Sequence, residues 1–275
     1  MDIYKMSSFS KNEIGGNKAG VVLDADSLDE ASMMQIANQV GYSETAFVMK
    51  SDMADFKVRF FTPVKEVDLC GHATIAVFNL LKQLNIIKAG IYHQETKAGV
   101  LEVKVNDENV YMEQNQPVFY EIISKDHMKH CFNNFMMDYI CELPIQVVST
   151  GIKDIMLPIK SLEILLSLEP NLELIKKISD EFNVTGIHAF SLDTYDNNSA
   201  HCRNFAPLYG INEESATGTS NGALACYLYK YNNKVNKFTF EQGYVMNEPS
   251  EINVEFNLKD NNIERVYVGG KAVRI

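Results

Sequence analysis

Two kinds of hydrophobic spacing alternate along the chain. Ala73, Ala76, Val77, Leu80, Leu81 and Leu84 recur at the three- and four-residue intervals of a helix face, and so do Ala223, Leu224, Tyr227, Leu228 and Tyr231. Beyond each of these helices a run alternates apolar with polar residues, Leu101 to Asp107 and Val254 to Asp260. Turn residues follow at Asn109 and at Asn261-Asn262, so each run predicts a hairpin strand. Ahead of each helix stands a motif of the same order and chemistry. Phe61-Thr62-Pro63-Val64 precedes Cys70-Gly71-His72-Ala73, and Phe205-Ala206-Pro207-Leu208 precedes Thr217-Gly218-Thr219-Ser220, with three extra residues in the second copy. The chain reads as one unit written twice.

Upstream, Ser27-Leu28-Asp29-Glu30 has a capping-box pattern for a helix carrying Met33, Ile36, Ala37 and Val40, and the short strand Thr45-Ala46-Phe47-Val48 follows. The counterpart is a helix around Leu172, Ile175 and Ile178, then Ile187-His188-Ala189-Phe190. The first half ends near Pro117, and Val118 to Cys141 is a less patterned connection. Hairpins and turn residues are too frequent for a doubly wound parallel sheet. The predicted class is α+β: two similar halves, each a mixed, mostly antiparallel sheet wrapped around a helix.

Composition narrows the function. At 275 residues, 46% hydrophobic and 22% charged, the chain suits two globular domains. A net charge of −11 with no basic run argues against nucleic acid. No apolar stretch approaches the roughly 20 residues that span a bilayer. Five cysteines at irregular spacing, without a C-x-x-C pair, form neither a disulfide framework nor a zinc pattern. The N-terminus enters a strand-like run, Asp2 to Met6, without the regions of a signal peptide. The expectation is a soluble, cytoplasmic protein, with no membrane partner, no metal ligand cluster and no cofactor fingerprint; a homodimer is one assembly the sequence allows.

An acidic chain that binds an acidic small molecule must supply positive potential locally. A glycine just before a helix permits a tight turn and leaves the first N–H groups without intrahelical partners, free to meet an anion. Gly71 and Gly218 both offer this arrangement. Either alone is an ordinary turn, and it is the pairing that suggests a carboxylate site in a cleft between the halves. The halves also differ. Ser43-Glu44-Thr45 carries an acid where aligning the halves puts Ile187, and Glu213-Glu214 stands where the first half has Val67-Asp68. Taken singly, Glu44 reads as a solvated loop carboxylate and His72 as a helix-start residue.

Five separated motifs in order, Gly16-Asn17, Ser43 to Phe47, Cys70 to Thr74, Arg203 to Pro207 and Glu213 to Thr219, resemble those of the phenazine-biosynthesis PhzF-like isomerases, relatives of diaminopimelate epimerase. The resemblance spans nearly the whole chain. It implies a sheet curled around a central helix in each half, and a last strand, Val266 to Arg274, that returns to the first half. The halves then comprise residues 1–117 with 264–275, and 118–263. It also implies that Glu44 is the general acid/base. Asn17, Cys70, Gly71, His72, Glu214, Gly218, Thr219 and Ser220 fall at substrate-binding or proton-sharing positions. Three motifs depart from the family pattern: Glu214-Ser215 replaces Asp-Pro, Thr219 replaces a serine, and Lys18 replaces the proline of Gly-Asn-Pro. The reaction class survives these changes, and the substrate is left open.

The expected function is a cofactor-independent isomerase that removes and returns a proton on a small carboxylate-bearing metabolite. Two rivals follow from the same residues. A thiol racemase of the related epimerase type needs a second cysteine, but Thr217 occupies that position, and a hydroxyl is too weak an acid or base at neutral pH. A binding protein whose chemistry has decayed would keep the fold, and the altered Glu214-Ser215 region suits it.

Overall fold

The computed structural model describes residues 2–134 and 136–275. The chain divides into two compact units, the first running up to Glu113 and taking in Gly269–Ile275, the second being Gln114–Val268. Among the described residues no helix is long and apolar enough to cross a membrane.

The first unit contains β1 (Ile3–Ser8), β2 (Asn17–Val22), α1 (Glu30–Val40), β3 (Glu44–Met49), β4 (Phe56–Phe61), β5 (Glu66–Val67), α2 (Gly71–Gln83), β6 (Gly90–Thr96), β7 (Gly99–Val105) and most of β8 (Val110–Gln114). β1 runs antiparallel to β2, β2 parallel to β3, β3 antiparallel to β4, and β4 both antiparallel to β5 and parallel to β6, which continues antiparallel to β7. The last strand of the chain, Ala272–Arg274, pairs with β1. Every residue of α2 from His72 to Leu81 is buried, so this helix is surrounded by the sheet and not merely laid against it. That is more than a one-sided stripe predicts, and the small Ala73 and Ala76 let strands approach closely.

The second unit repeats the plan after β9 (Val118–Ile122) and the short α3 (Lys125–Met128). It has β10 (Gln146–Ser149), β11 (Lys153–Ile159), α4 (Leu162–Ser167), α5 (Leu172–Glu181), β12 (Gly186–Ser191), β13 (Ala200–Ala206), β14 (Ile211–Glu214), α6 (Gly218–Tyr231), β15 (Lys237–Gln242) and β16 (Ser250–Lys259). β10 is antiparallel to β11, β11 parallel to β12, β12 antiparallel to β13, and β13 both antiparallel to β14 and parallel to β15, which continues antiparallel to β16. The pairing order matches the first unit strand for strand. α6 is buried from Ser220 to Tyr229.

The duplication extends to side chains. Arg59 of β4 grips Glu66 of β5 at 2.7 and 2.8 Å, and Arg203 of β13 grips Glu213 at 2.8 Å through both Nε and Nη2. Each guanidinium also lies over a neighbouring ring, Phe61 at 5.1 Å and Phe205 at 5.0 Å. These anchors correct the sequence alignment of the halves. Glu213 has a counterpart, Glu66, so the acid peculiar to the second half is Glu214, which stands where the first has Val67. Thr45 pairs with Phe61 and Ile187 with Phe205, so the position equivalent to Glu44 is Gly186, not Ile187. A Cβ on Gly186 would sit 1.9 Å from the Phe205 carbonyl oxygen, so no side chain fits there. The capping box is also displaced. Ser27 closes a short 3-10 turn, and Asp29 caps α1 by accepting the Ser32 N–H at 2.8 Å.

Candidate functional site

Glu44 opens β3, in register with Ala19 of β2, and His72 lies in the first turn of α2. The parallel ladder and the buried helix bring them together: Glu44 Oε2 lies 3.3 Å from His72 Nε2. The Ser43 hydroxyl is 3.4 Å from the same nitrogen, and Cys70 Sγ is 3.4 Å from Nδ1 and 3.9 Å from Nε2. Ser8 of β1 donates to the His72 carbonyl at 2.6 Å and fixes the helix start to the strand that pairs with Asn17. His72, Cys70 and Asn17 are each 8% exposed. The Glu44 side chain is 20% exposed, and its Oε2 is buried without a hydrogen bond. Among the described residues its ion-pair distance partner is the His72 imidazole, with no lysine or arginine against it.

Glu44, Cys70 and His72 are also the one His, Cys and carboxylate group among the described residues whose donor atoms all lie within 4.8 Å of one another. The Cys70 sulfur lies 3.4 Å from His72 Nδ1 and 3.9 Å from Nε2, and Glu44 Oε2 lies 3.3 Å from Nε2, so the three groups converge on one small volume.

The second unit assembles a different set around the start of α6. Thr217 is the residue before the helix, and its hydroxyl donates to Glu214 Oε2 at 2.6 Å. Gln242 holds the same corner by donating to the Glu214 carbonyl at 2.8 Å and by accepting from Asn221 at 2.8 Å. Ser220 is fully buried, and its hydroxyl bonds Asp154 Oδ2 at 2.5 Å. Gly218 and Thr219 form the bare first turn, and Thr219 sends its carbonyl to the Thr150 hydroxyl at 3.1 Å.

Neither helix start carries a side-chain cap or an acid in its first turn. Glycine serves there differently from the expectation of a tight turn. Gly71 and Gly218 are absent from the positive-φ positions, and a Cβ on Gly71 would meet only the tip of Met112 at 3.6 Å. Their contribution is a bare surface over the first N–H groups, so that a ligand atom can approach them.

Several residues of this region escape sequence reasoning. Ser8 has no motif signal beyond a short hydroxyl, and Ser43 stands in a motif but has no role assigned by it. Asp154 has a signal, because it is an acid heading the apolar run Ile155-Met156-Leu157, and it is fully buried. Burial pushes its carboxyl up to about 7, against the Ser220 hydrogen bond and with help from the Glu214 charge. Burial also lowers His188 on β12, to about 4, so its ring is neutral. Asn204 donates to His188 Nδ1 at 3.1 Å, which places the ring proton on Nε2. A surface depression of about 430 Å³ lined by Asp2, Tyr4, Leu23, Asp24, Ser27, Leu84 and Ile86 includes none of these groups.

Known proteins resemble the chain over its full length. Residues 6–275 match the family described as phenazine biosynthesis-like protein (PhzC-PhzF). An uncharacterized isomerase of Clostridium acetobutylicum is 36% identical over 99% of this chain and 95% of its own length. A second, from Bacillus subtilis, is 32% identical over 99% of this chain and 96% of its own. The crystal structure of a PhzF-family phenazine biosynthesis protein from Bacillus anthracis superposes with a TM-score of 0.91 at 31% identity, covering 100% of this chain and 98% of that one.

Proposed function

Since the chain belongs to the phenazine biosynthesis-like family and is an isomerase, we propose that it moves a proton on a small carboxylate-bearing metabolite, without a cofactor and with Glu44 as general acid/base. The observation that carries this reading is the Glu44 carboxylate itself. One oxygen is buried and makes no hydrogen bond, no lysine or arginine among the described residues lies beside it, and the His72 imidazole is 3.3 Å away. A carboxylate held in that way has an acceptor to spare, and a proton it takes can be returned.

In the proposed cycle Glu44 removes a proton from a carbon next to an activating group. The electron pair of the broken C–H bond moves into the conjugated system, and Glu44 delivers the proton to another carbon of that system, so nothing is gained or lost. His72 steadies the carboxyl in both states through Nε2, and Cys70 at Nδ1 supports the ring. A single proton carrier fits the residue before the second helix. Thr217 stands where a thiol racemase needs its second cysteine, and its hydroxyl is engaged by Glu214 at 2.6 Å. The bare first turn at Gly218 and Thr219 is proposed as a carboxylate-binding position. Five cysteines that form no disulfide among the described residues suit the reducing cytoplasm as its place of work.

The second reading, a binder with decayed chemistry, draws on the same Glu214–Thr217 bond, which occupies one oxygen of the acid nearest the α6 start. Incubating the protein in deuterated water with a panel of α-amino and α,β-unsaturated carboxylates separates the two by proton NMR. Catalytic loss of a C–H signal supports the isomerase. Saturable binding of a panel member with no exchange at any carbon refutes it in favour of the binder.

A further inference from the structure

The two units carry their acids on opposite strands of the same ladder rung. In the first, Glu44 of β3 faces Ala19 of β2; in the second, Asp154 of β11 faces Gly186 of β12. Each rung has one carboxyl opposite one small residue, and each lies beside the start of the buried helix. Gly186 cannot accept a side chain, since a Cβ there would collide with the Phe205 carbonyl at 1.9 Å. The acid of the second unit therefore stands one strand over, in the interior.

Asp154 is fully buried, and no cation contacts it among the described residues. The groups that face it are the Ser220 hydroxyl of α6 at 2.5 Å, the Gly186 N–H of β12 and the Glu214 carboxylate of β14. Asn204 of β13 donates to Ser220 Oγ at 3.3 Å and to the neutral His188 of β12 at 3.1 Å. Asp154 Oδ1 makes no hydrogen bond to a side chain or to another described group. A buried carboxylate would normally gather several donors, whereas a carboxylic acid needs fewer. Ser220 is two residues into α6, so whatever fixes its hydroxyl fixes the turn that presents the Gly218 and Thr219 N–H groups.

We propose that Asp154 is a positioning residue for an anionic ligand at the α6 start: through Ser220 it holds the first turn, and its carboxyl has to be uncharged for that turn to accept negative charge. The inference rests on the reading of that turn as a carboxylate site. Ionising Asp154 puts a negative charge beneath the anion and next to Glu214, where the interior screens it poorly. Burial shifts this acid to about 7, which places the change near neutral pH. The ligand site thus loses affinity as pH rises.

Sulfate is the probe, because its charge is constant across the range. Its binding is read from the Gly218 and Thr219 backbone amide shifts of the full-length, isotopically labelled protein at constant ionic strength. The wild-type dissociation constant should rise about tenfold or more between roughly pH 5.5 and 8.5, as expected for a nearby buried charge. Asp154→Asn, neutral throughout, should bind sulfate equally well at both ends. Ser220→Ala is an independent variant: it removes a hydrogen bond that favours the ionised form, so the midpoint of the pH dependence should move upward. Equal pH dependence in wild type and Asp154→Asn, or an unmoved midpoint in Ser220→Ala, overturns the role of Asp154 alone. Amides that ignore sulfate at every pH in all three proteins overturn the anion site itself, and this inference with it.

Discussion

Replacing Asp154 with asparagine should remove a pH dependence from the stability of the fold. The folded carboxyl titrates near 7, pushed there by burial, whereas an unfolded aspartate titrates near 3.9. The folded state therefore binds this proton more tightly than the unfolded chain does. Its stabilising contribution is complete below the unfolded value, declines as pH rises through the interval, and is gone once pH passes the folded value. Three pH units at 1.36 kcal/mol each give about 4 kcal/mol. Asparagine keeps the shape and can still bond Ser220, but it cannot ionise. Chemical denaturation of both proteins at about pH 4.5 and pH 7.5 yields two differences in stability. Subtracting one from the other cancels any constant effect of the amide and every group that titrates alike in both. About 1 kcal/mol of that range is already lost at pH 4.5, so the variant should gain on the wild type by about 3 kcal/mol across that interval. Parallel pH profiles for the two proteins would show that Asp154 is not a neutral acid in the fold.

Cys70→Ala should keep most of the turnover, because Thr217 leaves no thiol pair to break; abolished turnover with substrate binding intact would favour a thiol mechanism. Gly186→Ala should be destabilised by about 4 kcal/mol or more, since its Cβ meets the Phe205 carbonyl at 1.9 Å and neither backbone can yield cheaply. A melting temperature within a few degrees of wild type would contradict the packing described for that rung. Glu241→Gln tests the opposite pH direction. Burial opposes the charge on Glu241, but His201, two backbone N–H groups and Asn198 outweigh it and hold the carboxyl at about 2. Its contribution is present above about 4.3 and lost as pH falls toward 2, so the variant should be weaker than wild type by about 3 kcal/mol near neutrality and converge with it in acid. A constant gap across the range would refute that assignment.

Much of the plan is legible in the sequence, and the failures have physical causes. The helices at Gly71 and Gly218 show in their spacing, and the repeated order of motifs anticipates the repeated order of strand pairing. Register is what linear comparison misses. Arg59–Glu66 and Arg203–Glu213 are the same bond, yet three extra residues before the second helix hide it, and Glu213 looks like a novelty until the pairing is seen. The same slip matches Glu44 to Ile187 when its true counterpart is a glycine with no room for a side chain. Glu44 and His72 were nameable because their motifs are local, whereas their 3.3 Å approach depends on a parallel ladder and a buried helix. Asp154 went unremarked for the opposite reason. Its partners come from a helix and two other strands, and the only local hint is an acid leading an apolar run.

The central claim is that Glu44 carries the proton, and the direct measurement is deuterium exchange into an identified carboxylate substrate by Glu44→Gln beside wild type. Glutamine preserves size and polarity while removing the titratable oxygen. The account predicts that the variant binds the substrate with about the wild-type affinity and exchanges at least about 100-fold more slowly, the usual contribution of a positioned acid/base. Exchange at a near wild-type rate in Glu44→Gln would contradict it.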